Sequence, residues 1–296
     1  MEKSLLSTGE SREARRQRQF IEQGRGSGYR SEYRPFIQIE RGGFQSRGRS
    51  HLVFDERVGR SFHLLSDLEL LIFLWAWSLD AVDCREQFPL QPYEFDFEFL
   101  GRHGEKPRGT QAIAKALGIR HPQIQRNVPR IMTTDLLVSF RDNTKIAIHA
   151  KYKADLENAT TRSRDLRRIE KQYWRDRGAR FLVMDEQPFT QFTANQMMWA
   201  IDGMKWTGDE ACVERLIECL DKTCMHLSMG ERLARCASVI GIGQCEAVRA
   251  FKFAVITRRW HIKRLDQELD LSSPWAGNRC RRRSPSTSSS FQVPGK

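Results

Sequence analysis

The sequence has no long apolar run. The longest, Leu70 to Trp77, is eight residues, less than half of the ~20 that a membrane helix needs. The opening Met-Glu-Lys-Ser-Leu-Leu-Ser lacks the apolar stretch of a secretion signal. C-x-x-C pairs are missing as well. The seven cysteines, an odd number, are Cys84, Cys212, Cys219, Cys224, Cys236, Cys245 and Cys280. Their spacing excludes a disulfide framework and a cysteine-rich zinc site, so the expectation is reduced thiols in a cytoplasmic protein with no membrane partner. Acidic charge is short: 37 Asp and Glu face 49 Lys and Arg, a net charge of +12. That balance favours a polyanion such as DNA.

What is present is enough for two domains. Of 296 residues, 40% are hydrophobic and 10% aromatic, which supports a sizeable core. The basic excess sits at the ends. Residues 1–50 hold 11 basic and 6 acidic side chains, residues 258–296 hold 9 and 3, and the 207 between them are almost neutral. The ends therefore read as arms for phosphate. Residues 1–34 form a basic N-terminal arm with a helical stretch from Arg12 to Gln23, then a mobile glycine loop over residues 24–28. Phe36–Ile39 and His51–Phe54 alternate as short strands, and Val53-Phe54 has a second possible partner in Ser61-Phe62. Ser66 and Glu69 make a capping box for an apolar helix running to about Ser78. A strand follows from Val82 to Gln87, closed by Pro89, and then a short helix over Thr110–Leu117.

Asp135–Phe140 and Lys145–Ala150 are the clearest strands, joined by a turn at Asp142-Asn143 as a β-hairpin. A charged helix from Thr161 to Arg177, stopped by Gly178, leads into a strand over Arg180–Met184. The acidic turn at residues 185–188 marks a domain boundary. Beyond it, residues 192–201, 209–219 and 231–240 are helical patterns, and Ala250–Ile256 reads as a strand. The Arg- and Ser-rich tail after residue 270 cannot build a core. The expected division is thus an arm (1–34), an α/β domain (35–187), a small, mainly helical, winged-helix-like domain (188–270) and a disordered basic tail (271–296).

One constellation carries chemistry. Asp135 opens one hairpin strand while His149 and Lys151 end the other, so the three meet at one end of the pair. Residues 149 and 151 are two apart and share a face. A carboxylate, an imidazole and an ammonium together suit metal-dependent hydrolysis: Asp135 for Mg²⁺, Lys151 for positioning water or neutralising charge, and Glu69 as a second carboxylate. Each also has an ordinary use. A strand-end Asp serves turns, a Lys reaches solvent, and a Glu in a first helical turn answers the helix dipole. The helix over Thr161–Arg177 is likewise either a solvated charged face or a phosphate-contacting one, with Tyr173, Trp174 and Glu170 at core-facing positions.

Six ordered blocks resemble the TnsA family of transposon endonuclease subunits: Gly24-Arg25-Gly26-x-Gly28, Tyr33-x-Pro35-Phe36-Ile37, Ser46-x-Gly48-Arg49-Ser50-His51, His63 to Glu69, Arg85-Glu86-Gln87-Phe88-Pro89-Leu90, and Met132 to Val138. The resemblance covers roughly residues 20–185. It implies a restriction-endonuclease-like fold, a mixed sheet flanked by helices, and Mg²⁺-dependent cleavage of one DNA strand, the 5′ strand, at transposon ends. It implies a catalytic set of Glu69, Asp135, His149 and Lys151, with Glu69, Asp135 and His149 on the metal. It further implies a bacterial cytoplasmic setting, a TnsB-type transposase and a TnsC-type ATPase regulator as partners. His149 departs from the family, which has Gln there, and an imidazole suits Mn²⁺ better than Mg²⁺. Arg25, Arg47 and Arg49 are the expected DNA contacts. The rival expectation is a DNA-binding assembly factor, bridging transposase and ATPase, whose chemistry the His149 change has weakened. A free-standing repair or restriction nuclease is a third.

Overall fold

The computed structural model describes residues 10–40, 49–79, 81–94, 106–189, 191–257, 259–262, 271–274 and 277–279. Along the chain the elements are α1 (Arg12–Glu22), β1 (His51–Asp55), β2 (Arg60–Leu64), α2 (Asp67–Trp77), β3 (Asp83–Leu90), α3 (Thr110–Ala116), β4 (Gln123–Gln125), β5 (Val128–Pro129), β6 (Met132–Ser139) and β7 (Lys145–Ala150). They continue as α4 (Lys153–Glu157), α5 (Thr161–Asp176), β8 (Arg180–Met184), α6 (Gln191–Ala200), α7 (Glu210–Lys222), α8 (Met229–Ile240), α9 (Gln244–Ile256), β9 (Trp260–Ile262) and β10 (Gly277–Arg279). Two compact units emerge, residues 1–45 with 83–184 and residues 46–82 with 185–296. Among the described residues no helix is long and apolar enough to cross a membrane.

The first unit is built on a mixed sheet in the order β3-β6-β7-β8, antiparallel except for the β7–β8 pair. Every residue of β3 is buried, and so are Ile146, Ala147 and Ile148 of β7. Such continuous runs belong to strands covered on both faces. The parallel return from β7 to β8 needs a crossover, which α4 and α5 supply. Thr160 caps α5 by accepting the Ser163 N–H at 3.1 Å. Gly178, at φ +70°, stops it in the left-handed conformation that lacks a side-chain penalty. Ile169, Tyr173 and Trp174 on its inner face share a core with Phe88, Leu137 and Ala147.

The N-terminal segment is part of this unit from Glu10 onward and not a free arm. The Ser11 N–H reaches Gln125 Oε1 at 2.8 Å. Gln17 donates to the Pro129 carbonyl and accepts from the Ile131 N–H, so one amide pins α1 across the β4–β5 hairpin. The glycine loop is closed by a bond from the Gly26 N–H to the Arg34 carbonyl. A side chain at Gly26 would begin 2.1 Å from the Pro89 ring, so the loop is packed against β3. Phe36–Ile39 does not form the expected strand, because the Phe36 N–H bonds the Gln87 carbonyl outside any ladder. The strand at His51 pairs instead with Arg60–Leu64, in the register Val53 with Phe62 and Phe54 with Ser61.

The second unit joins the β1–β2 hairpin and α2 with α6 to α9 and the β9–β10 pair. Residues 46–82 therefore group with the C-terminal half, whereas the sequence division set them with the α/β domain. The physical cause is α2, which is apolar all round and buried from Leu68 to Trp77 except at Leu71. Such a helix needs cover on every side. Val213, Leu216, Ile217, Leu233, Phe251 and Trp260 form the main core of the C-terminal helices. The expected strand at Ala250–Ile256 is the last half of α9. Ala247, Ala250, Phe251 and Ala254 are buried at helical spacing, and a short apolar run alone does not separate the two periods.

Candidate active site at the end of the β6–β7 hairpin

Pairing of β6 with β7 runs from Ser139 with Lys145 to Leu136 with Ile148. One step further along the same register lie Asp135 and His149, which therefore face one another at the end of the ladder. The Asp135 carboxylate accepts the Ala150 N–H through Oδ2 at 2.8 Å. His149 Nδ1 lies 3.7 Å from that same oxygen. It is nearer still, at 3.0 Å, to Glu170 Oε2 on the inner face of α5, although off the line of a good hydrogen bond. Glu170 Oε1 accepts the Thr134 hydroxyl at 2.7 Å, and that hydroxyl accepts the Trp174 indole N–H at 2.7 Å. The sheet end and α5 are thus joined by a polar chain of Trp174, Thr134, Glu170, His149 and Asp135.

The charges in this chain perturb one another. Burial pushes the Asp135 carboxyl up to about 6, and the neighbouring Glu170 charge adds to that. His149, the Ala150 N–H and the Gln87 amide pull the other way. For His149, burial alone lowers the pKa, but the Glu170 carboxylate 3.0 Å away, with Asp135 behind it, overcomes burial and raises it. Two acids on either side of one imidazole favour its charged form. They also leave a negative potential that a cation relieves.

The other expected residues stand differently. Lys151 follows the end of β7, its backbone N–H bonded to the Met184 carbonyl and its half-exposed ammonium 3.4 Å from Asp155. Glu69 belongs to the second compact unit. It sits in the first turn of α2, accepts the Leu65 N–H at 2.9 Å and is capped by Ser66. Arg25 has internal partners: Glu40 at 2.5 Å, Gln23 at 2.7 Å and the Phe20 ring 4.0 Å below its guanidinium. Arg49, well exposed, pairs with Asp67 at 3.2 Å. Arg47 lies outside the described residues. The sequence assigned no role to Thr134 and marked Glu170 only as core-facing. The available signal was a carboxylate at a core-facing position, between Ile169 and Tyr173, which burial permits only with polar partners.

Residues 80–186 match the family described as TnsA-like endonuclease N terminal. The protein "Transposon Tn7 transposition protein TnsA" of Escherichia coli is 33% identical over 202 residues, 67% of this chain. The chain spans 65% of the length of that relative. Asp135, His149, Lys151 and Glu170 all fall inside the matched family segment, and Glu69 precedes it.

Proposed function

We propose, on the premise that residues 80–186 make this chain a member of the TnsA-like endonuclease family, that it is the DNA-cleaving subunit of a heteromeric transposase. It cuts the 5′ strand at transposon ends by phosphodiester hydrolysis, beside a TnsB-type transposase and under a TnsC-type ATPase regulator. The observation that supports this most is the meeting of Asp135 and His149 at the hairpin end, two residues before Lys151. Asp135 and Lys151 are the residue types that the family resemblance implies there, and His149 stands where it implies Gln.

A divalent cation fits the chemistry of this donor set. Asp135 is a carboxylate with the His149 imidazole and a second acid, Glu170, close by. That is how Mg²⁺ is commonly held, by one or two carboxylates with its remaining positions left to water and phosphate. Asp135 and His149 would hold it. When bound, the cation supplies a water of lowered pKa and neutralises phosphate charge. The chain's own groups do the rest. The Ala150 N–H fixes the rotamer of Asp135, Glu170 fixes the ring of His149, and the Lys151 ammonium meets negative charge developing on the scissile phosphate.

The test is strand-specific mapping of breaks at transposon ends with the reconstituted partners. Asp135→Ala should fold, melt as the parent does and lose 5′-strand cleavage, while the transposase's own cuts persist. Cleavage at the parent's rate would end this reading. One observation favours the rival of a weakened assembly factor: His149, when protonated, is itself a cation between Asp135 and Glu170. His149→Gln decides between them. In a working nuclease it should raise Mg²⁺-supported cleavage; in the assembly factor both forms should leave DNA uncut while still joining the partners.

A further inference from the structure

Gln87 is a non-glycine residue in the left-handed region, with φ +48°, in the middle of a fully buried strand. A long side chain is held there only where its surroundings over-determine it, and such residues gather at functional sites. The β3–β6 ladder pairs Glu86 with Leu136 and Phe88 with Thr134. The step left out is Gln87 opposite Asp135. At that kink the Gln87 carbonyl leaves the ladder and accepts the Phe36 N–H at 3.3 Å. Its side chain, 2% exposed, turns inward. The amide oxygen accepts the Thr133 hydroxyl at 3.3 Å, which leaves the NH₂ end for the bond that Gln87 makes to the Asp135 carboxylate.

We propose that Gln87 is a positioning residue: the left-handed kink in β3 serves to bring an amide donor onto the Asp135 carboxylate and fix its orientation at the cleavage site. This rests on Asp135 being the catalytic carboxylate proposed above. A kink needed only for the backbone bond to Phe36 is best made by glycine, which adopts φ > 0 without penalty. The chain instead keeps a side chain that reaches Asp135 from the neighbouring strand. Asp135 is then held from two directions, by the Ala150 N–H on β7 and by the Gln87 amide on β3.

Two variants separate backbone from side chain in the full-length protein. Gln87→Gly relieves the left-handed strain and removes the amide. Gln87→Met keeps the strain and the volume and removes only the amide. Mn²⁺ affinity by isothermal titration, the melting midpoint, and 5′-strand cleavage with the partners are measured for each, with Asp135→Ala alongside. Outer-shell hydrogen-bond partners of metal ligands alter affinity about 10–100-fold. Both variants should therefore bind Mn²⁺ at least about tenfold more weakly and cleave correspondingly less, with Gln87→Gly melting no lower than Gln87→Met. A Gln87→Gly protein that binds Mn²⁺ and cleaves like the parent would overturn the proposal. If Asp135→Ala itself keeps both properties, the catalytic reading falls and the positioning role falls with it. If Asp135→Ala loses both while Gln87→Gly keeps them, only the positioning role fails.

Discussion

Thr134 carries more than its size suggests, because one hydroxyl serves both Trp174 and Glu170. Thr134→Val keeps the shape and leaves two buried polar groups without that partner, a cost of about 1–3 kcal/mol for each unsatisfied group. Urea unfolding should register the loss, and Thr134→Ser should recover most of it. Cleavage should drop as well, since Glu170 would no longer be fixed against His149. A second residue-scale expectation concerns acid. His121 Nδ1 lies 2.8 Å from the Pro122 carbonyl, which only accepts, so the ring donates there and accepts the Thr110 hydroxyl at Nε2, also 2.8 Å. Burial lowers its pKa, the Pro122 bond opposes that, and Arg162 adds to the lowering. Protons then favour the unfolded chain, so the stability from neutral His121 is complete above about pH 6.5 and is lost as pH falls. Denaturation midpoints between pH 7.5 and 5 should show that slope, and His121→Gln should flatten it. At this scale hairpin spacing was enough to set Asp135 opposite His149. It did not reveal Gln87 or Thr134, since neither a positive φ nor a shared hydroxyl leaves a periodic trace.

Among the elements, α5 has two faces with separate tasks. Its inner face sets Ile169, Glu170, Tyr173 and Trp174 against the sheet. Its outer face carries Arg164, Arg168, Lys171 and Arg175, all exposed, at i, i+4, i+7 and i+11. The stripe runs roughly 16 Å along the helix. Asp165 pairs with Arg168 at 3.3 Å at its edge. If the stripe lies along DNA phosphates, changing all four to Ala should flatten the log–log salt dependence of DNA binding by about 3 to 4, at roughly 0.9 per contact. An unchanged slope would leave α5 a solvated helix. This stripe is a better candidate than Arg25, whose guanidinium already has Glu40, Gln23 and Phe20. Elements marked by periodicity, a cap or a continuous apolar run were legible from sequence: α1, α2, α5, β6, β7, β8 and the helices from α6 to α8. Two misreadings share a cause. Phe36–Ile39 and Ala250–Ile256 are short apolar runs whose conformation is decided by a distant partner, the Gln87 carbonyl in one case and the helical core in the other.

For the whole molecule, the order of the chain and the order of the folded units differ. Residues 10–40 belong with residues 83–184, and residues 46–82 belong with the segment after Met184. The break at Met184 falls at the acidic turn, which composition marks. The earlier interleaving leaves no compositional sign, because it depends on which surface covers α2. A fragment limited to residues 80–186 would match the family and still be incomplete. It lacks Tyr33, 3% exposed and bonded through its hydroxyl to the Glu86 carbonyl, and the Phe36 bond to Gln87. Such a fragment should melt without a cooperative transition by circular dichroism, and a peptide of residues 10–40 added in trans should restore one. Interleaving also bears on the protein's birth. At roughly 5–20 residues per second, ribosomes need on the order of ten seconds between releasing the first segment and finishing the last strand it packs on. Throughout that interval the nascent chain carries α1, Tyr33 and Phe36 uncovered, with α2 soon added to them. Neither unit closes while synthesis is half done, so holding chaperones have a long window on this chain.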